Sequence, residues 1–221
     1  MRFLSPAAFT ATRYPEALMD DEIQLWYFPA GDGTGTRLDE AWLRPLLAAH
    51  VGCAPERLVL RRGAHGKPFL DGPPAFEFNL SHSRGAALLG LSRRQAIGVD
   101  IETVRRERPV LDLARRYFAA SEAEALAAID AAGRQAAFLR LWSCKEAVVK
   151  ADGRGIGFGL SRVVFVLDAN GMPAHLNVIG TSAGAAAQWQ IVALAPSIGH
   201  TGALAWHGRE RPVRAFVAMP P

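Results

Sequence analysis

The stretch Ile97-Gly98-Val99-Asp100-Ile101-Glu102 constrains the fold more than any other part of the chain. Its apolar residues recur at every second position, the period of a β-strand, whose side chains point to opposite faces in turn. Ile97, Val99 and Ile101 then share one face. Asp100 and Glu102 share the other, about 6.5–7 Å apart along the strand. Two carboxylates so placed repel each other unless a cation stands between them. Hard oxygen ligands suit Mg²⁺, which takes few protein carboxylates and completes its shell with water and phosphate oxygens. A solvent-facing strand edge carrying two scattered acids satisfies the same pattern.

Around this segment the period of the sequence changes twice. Residues 23–28 read as a strand, the Gly/Thr-rich stretch Gly31 to Thr36 as a loop, and 38–51 as a helix ending near Gly52. Strands are expected at 58–61 and 75–80, separated by a Gly66-Lys67-Pro68 turn. The apolar run 86–91 and the alternating 97–102, joined by a turn at 92–95, read as a β-hairpin. From Pro109 the spacing becomes helical: 110–118, then a helix opened by a Ser121-Glu122-Ala123-Glu124 capping box, then 135–151 stopping at Gly153. Strands return at 163–167, 175–178, 189–193 and 203–206. This order predicts an α+β chain of two halves, 1–93 and 94–221.

The 221 residues suffice for one large or two small cores. No apolar run reaches the ~20 residues of a membrane span, and the N-terminus lacks an apolar segment of the secretory kind. The two cysteines, Cys53 and Cys144, lie far apart and show no metal-type spacing, so a reduced, cytoplasmic protein is expected. A net charge of +4 suits a polyanionic small molecule or an acidic protein as well as a nucleic acid, and does not choose among them.

A second constellation lies in Leu141-Trp142-Ser143-Cys144-Lys145-Glu146-Ala147-Val148-Val149-Lys150. On a helix, Trp142, Glu146 and Lys150 fall within roughly 80° of one another, and Lys145 flanks that stripe. An acid between two lysines fits a site for a metal and an anionic phosphate; a surface Glu–Lys pair beside a core tryptophan fits equally. A third is Phe76-Glu77-Phe78-Asn79-Leu80-Ser81-His82-Ser83, a strand ending in small polar residues whose N–H groups and hydroxyls can receive a phosphate. Cys144 reads as a small buried residue. No Ser/His/Asp arrangement, phosphate-binding Gly-Lys-Ser/Thr loop or zinc spacing is present.

Together, Gly66-Lys67-Pro68, Phe78 to Ser83, Ile97 to Glu102 and Trp142 to Lys150 resemble, in order and spacing, the motifs of the surfactin-type 4′-phosphopantetheinyl transferases. Arg116-Tyr117-Phe118 and Gly153-Arg154-Gly155-Ile156 match as well. The resemblance implies an α+β fold of two similar halves related by a pseudo-twofold axis, with the active site in the cleft between them. The first half then serves the adenosine and 3′-phosphate of coenzyme A, the second the metal and the chemistry. Asp100, Glu102 and Glu146 would hold Mg²⁺. Glu146 would also help deprotonate a serine of an acyl or peptidyl carrier protein, and Lys145 and Lys150 would neutralise the pyrophosphate. Ser81, His82 and Lys67 would contact coenzyme A. A monomer acting on no nucleic acid or membrane is implied. A non-catalytic module binding coenzyme A or a carrier protein on the same fold is the alternative. The N-terminal third departs from the family: in place of an arginine-rich helix it has only Arg37 and Arg44 after the Gly/Thr loop. Arg13, Arg61 and Arg62 are then the candidates for the 3′-phosphate.

Overall fold

The computed structural model describes residues 1–12, 16–29, 40–63, 66–71, 76–84, 86–104, 108–155, 159–180 and 183–218, without the side chains of 40–42. The Gly31–Thr36 loop, Arg13, Arg37 and Ile156, all singled out from the sequence, lie outside the described residues.

The chain is α+β. Its strands are β1 (Arg2–Leu4), β2 (Phe9–Thr12), β3 (Ile23–Pro29), β4 (Leu60–Arg62), β5 (Pro68–Leu70), β6 (Phe76–Ser83), β7 (Ala86–Arg93), β8 (Ile97–Thr103), β9 (Val164–Leu167), β10 (Pro173–Val178), β11 (Trp189–Ser197), β12 (His200–His207) and β13 (Val213–Ala218). The helices are α1 (Glu40–Val51), α2 (Val110–Tyr117), α3 (Ala120–Ala128) and α4 (Ala131–Asp152). No helix among the described residues is long and apolar enough to cross a membrane.

Two sheets form the middle of the molecule. One has the order β2-β13-β3-β7-β6, the other β1-β11-β12-β8. Alternation along each strand decides what each face covers. In β7, Ala87, Leu89 and Leu91 pack beneath Leu43, Leu46 and Leu47 of α1, while Ala86 and Leu88 turn toward the other sheet. There they meet Ile97, Val99 and Ile101 of β8 and Leu204 and Trp206 of β12, so the apolar face expected of β8 closes the core between the sheets. The outer face of the second sheet carries α4, with Phe138, Leu141, Val148, Ala203 and Ala205 in one cluster. Layers therefore run α1, sheet, sheet, α2 to α4. Strands from the two ends of the chain cross over: β1 pairs in parallel with β11 at the edge of the second sheet, and β13 lies between β2 and β3 inside the first.

Two expectations are corrected. β7 and β8 form no hairpin, because they belong to different sheets. The chain turns sharply between them, with Arg94 at φ 54°, and the strands then cross face to face. A β-carbon on Gly90 would stand 2.9 Å from Ile97 Cδ1 and Val99 Cγ1, so a larger residue there would push these side chains of β8 aside. The helix starts two residues earlier than the pattern suggests, with only the glutamate half of a capping box. Ala119 is the N-cap, and Glu122 reaches back to accept its N–H at 3.0 Å. At the other end, α4 stops where expected, at Gly153 with φ 83°.

Candidate active site

α4 and β8 build the site together. The face of β8 that carries Asp100 and Glu102 also carries Gly98, and a β-carbon there would overlap the Ala147 carbonyl and the Ala151 amide of α4. The strand therefore lies against the backbone of the helix, and Lys150 of α4 reaches Asp100 of β8. Its ammonium donates to Asp100 Oδ1 at 2.7 Å and to Ser81 Oγ at 3.0 Å. Ser81 donates to the same Oδ1 at 2.9 Å. Asp100 is only 5% exposed, and among the described residues its second oxygen, Oδ2, is buried without a hydrogen-bond partner. Buried carboxylate oxygens are rarely left so. An orphan acceptor beside satisfied donors is a place for a cation.

Glu102 and Glu146 share the field of Asp100. Glu102 accepts from the Arg108 guanidinium at 2.6 Å. Burial raises its carboxyl above the ordinary range, opposed by the Arg108 hydrogen bond and reinforced by the Asp100 charge. Burial raises Glu146 as well, and Asp100 adds to the effect while Lys150 opposes it. Three mutually repelling acids under partial desolvation are what a divalent cation would relieve. Among the described residues, however, no group of three His, Cys, Asp or Glu side chains closes on a common metal position. Lys150 and Arg108 instead hold one oxygen each of Asp100 and Glu102.

A cavity of about 260 Å³ opens beside this cluster, lined by Lys67, Asn79, Glu146 and Lys150 and by Gly66, Gly153 and Gly155. Lys67 donates to the carbonyls of Ile97 at 3.3 Å and Lys150 at 3.4 Å, and burial lowers its pKa. An ammonium held by two neutral carbonyls keeps its full charge to offer an anion. His82 stands exposed near the end of β6. Trp142 packs against the rings of Tyr117, Phe118 and Phe138, with centroids 5.7–5.9 Å away.

Lys145 is corrected. Read from the sequence as flanking the Trp142–Lys150 stripe, it lies in the core with no exposed surface. Its ammonium has three protons, and all three are used: Glu122 Oε2 at 2.6 Å, the Leu160 carbonyl at 3.1 Å, and the Val163 carbonyl. Burial outweighs the Glu122 charge and brings Lys145 down to about 8, still protonated at neutral pH. It has no donor left for a pyrophosphate. Cys144 is fully buried, and burial pushes its thiol up to about 12, so it is inert as a nucleophile.

Sequence reasoning missed two participants. Arg108 follows the alternating strand, where no period marks it; Glu122 was visible only as part of a cap. The Ser81 hydroxyl, expected among phosphate contacts, serves Asp100 instead. Among the arginines considered for the 3′-phosphate, Arg61 is paired to Asp71 at 2.5 Å, and Arg62 donates to the Gly66 carbonyl at 3.0 Å. Arg44 is drawn toward the carbonyls of Pro55 and Leu58.

Known proteins resemble the chain over the elements that carry this site. Residues 96–202, which hold β8, all of α2 to α4, β11 and the first strand residues of β12, match the model of the 4′-phosphopantetheinyl transferase superfamily. The chain is 35% identical to the 4′-phosphopantetheinyl transferase psf-1 of Bacillus pumilus, over 63% of this chain and 59% of that one. It is 36% identical to the 4′-phosphopantetheinyl transferase HetI of Nostoc, over 52% and 49%. It is 29% identical to the 4′-phosphopantetheinyl transferase Sfp of Bacillus subtilis, over 61% and 58%. The chain thus spans about half to three-fifths of the length of these relatives. Fold and site define an α+β chain with a cluster of buried acids beside a cavity, and over residues 96–202 it is similar to the 4′-phosphopantetheinyl transferase superfamily.

Proposed function

We propose that this protein transfers the 4′-phosphopantetheine group of coenzyme A to a serine of an apo acyl or peptidyl carrier protein, releasing adenosine 3′,5′-bisphosphate. The observation that carries the reading is the buried, unpartnered Oδ2 of Asp100, beside Lys150 and next to a cavity lined by Glu146 and Lys67. Asp100, Glu102 and Glu146 would hold a Mg²⁺ ion, which when bound supplies positive charge against the pyrophosphate oxygens.

The residues of the chain then act mainly by position and charge. Lys67 and Lys150 face the cavity and would bind the pyrophosphate there. Glu146, whose proton affinity burial has raised, accepts the proton of the serine hydroxyl. The serine oxygen forms a bond to the β-phosphorus, the bond from that phosphorus to the oxygen bridging the two phosphates breaks, and its electron pair leaves with the bisphosphate. His82 and the Ser81 backbone would contact coenzyme A at the end of β6. The basic balance of the chain suits an acidic carrier domain.

The test mixes the protein with coenzyme A, Mg²⁺ and a panel of apo carrier proteins and follows their mass. Gain of the phosphopantetheine mass on at least one carrier is expected. Binding of coenzyme A with no gain on any carrier would favour a non-catalytic module, and release of the bisphosphate without a carrier would indicate a hydrolase.

A further inference from the structure

β8 is an edge strand of its sheet, and an edge presents a row of unpaired N–H and C=O groups. Here the N–H groups are met by side chains rather than by another backbone. Asn79 Oδ1 accepts the Val99 N–H at 2.8 Å, Ser81 Oγ the Ile101 N–H at 3.4 Å, and Ser83 Oγ the Thr103 N–H at 3.1 Å. The three acceptors stand at every second position of β6, and their partners at every second position of β8. This register joins the two sheets at the cleft. It also gives a physical reason for the polar alternation Asn79-Leu80-Ser81-His82-Ser83 beyond any contact with a phosphate.

The middle rung differs from the other two. A hydroxyl has one proton and two lone pairs. Ser81 Oγ receives the Ile101 N–H and the Lys150 ammonium, so its lone pairs are engaged and its single proton goes to Asp100 Oδ1. Among the described residues, Oδ1 thereby takes both hydrogen bonds that the carboxylate accepts, and Oδ2 is left without one in a buried position. The orientation of the Asp100 carboxylate is set by a residue of the other sheet.

We propose that Ser81 is a positioning residue: its hydroxyl fixes the Asp100 carboxylate so that Oδ2 faces a divalent cation, a task the Asn79 and Ser83 rungs do not share. The proposal rests on reading Asp100 as a cation ligand. It assigns to the Ser81 side chain a task that a contact to coenzyme A does not contain.

The test titrates the full chain with Mn²⁺, with and without coenzyme A, and follows free Mn²⁺ by electron paramagnetic resonance. Ser81→Ala should weaken Mn²⁺ binding about 10–100-fold, the range for lost outer-shell partners of metal ligands. Ser81→Thr, which keeps the hydroxyl, should restore most of it. Ser83→Ala removes a rung that does not touch Asp100, so it should lower the melting temperature and leave Mn²⁺ affinity within about twofold of the unsubstituted chain. Amide exchange gives an independent readout: Ser81→Ala should speed exchange at Ile101 more than at Val99. Equal Mn²⁺ affinity in Ser81→Ala and Ser83→Ala would overturn the positioning role while leaving the metal reading intact. Failure of the unsubstituted chain to bind Mn²⁺ under either condition would overturn both.

Discussion

Helix α4 carries two lysine–carboxylate pairs, five residues apart, and they are opposites. Lys145–Glu122 is closed. The lysine spends three donors on Glu122, Leu160 and Val163, and Glu122 accepts from Lys145, the Ala119 N–H and the Phe165 N–H. Neither side chain is more than 1% exposed. Lys150–Asp100 is open: the lysine is 27% exposed at its side chain, and among the described residues one oxygen of the aspartate has no partner. A closed pair has nothing left for a ligand. An open pair at a cavity does. The same residue types on one helix thus serve the fold in one case and offer a site in the other, and hydrogen-bond accounting separates them where spacing does not.

Breaking the closed pair should have the largest effect on stability. Glu122→Gln leaves a buried ammonium without its counter-charge and should cost about 3–5 kcal/mol, read as a shift of the urea unfolding midpoint at unchanged slope. Lys150→Met should lower turnover about 10²–10³-fold, the scale for one lost charge-stabilising donor, and should shift the unfolding midpoint less than Glu122→Gln does, because Asp100 keeps the Ser81 hydrogen bond. A large stability loss from Lys150→Met, or an unshifted midpoint in Glu122→Gln, would erase the distinction. Exchanging both members of the closed pair for apolar residues, as Glu122→Leu with Lys145→Met, should leave stability near or above that of the parent, because a packed apolar pair often equals a buried ion pair.

The open region should also reveal itself through pH. Glu102 and Glu146 hold their protons more tightly in the folded chain than at the ordinary value of 4.5. The folded state therefore binds more protons, and without metal stability should fall as pH rises from 4.5 through their raised values. Melting curves across that window should show the decline, and added Mg²⁺ should reverse it by favouring the ionised carboxylates. A flat profile would remove the desolvated acid cluster from the account.

Much of this was legible in the sequence. The alternation at Ile97–Glu102 gave β8 and its two faces, and the period change after Pro109 placed the helices of the second half. Spacing on α4 put Glu146 and Lys150 on one side of the helix; that Lys150 meets Asp100 is a tertiary contact. What stayed hidden depends on tertiary partners. Lys145 lies next to Glu146 in sequence, but only the packing of α3 against α4 reveals Glu122 as its counter-ion. The turn between β7 and β8 reads as a hairpin because local signals do not say that two strands join different sheets. β13 sits near the C-terminus and β1 at the N-terminus, and their crossing over leaves no mark on local periodicity. Arg108 follows no repeat at all. The hydroxyl of Ser81 looked like a phosphate contact because its strand ends in small polar residues; its true partners, Asp100 and Lys150, lie 19 and 69 residues away.

The most direct test of the account is the rate at which an apo carrier protein accepted by the unsubstituted chain gains phosphopantetheine mass when that chain carries Asp100→Asn. The substitution keeps the shape of the side chain and removes the charge of the open pair. The account predicts a rate lower by about 10²-fold or more in a protein that still unfolds cooperatively near the parent midpoint. An unchanged rate would contradict it, since the unpartnered carboxylate of Asp100 could then not be where the transfer is supported.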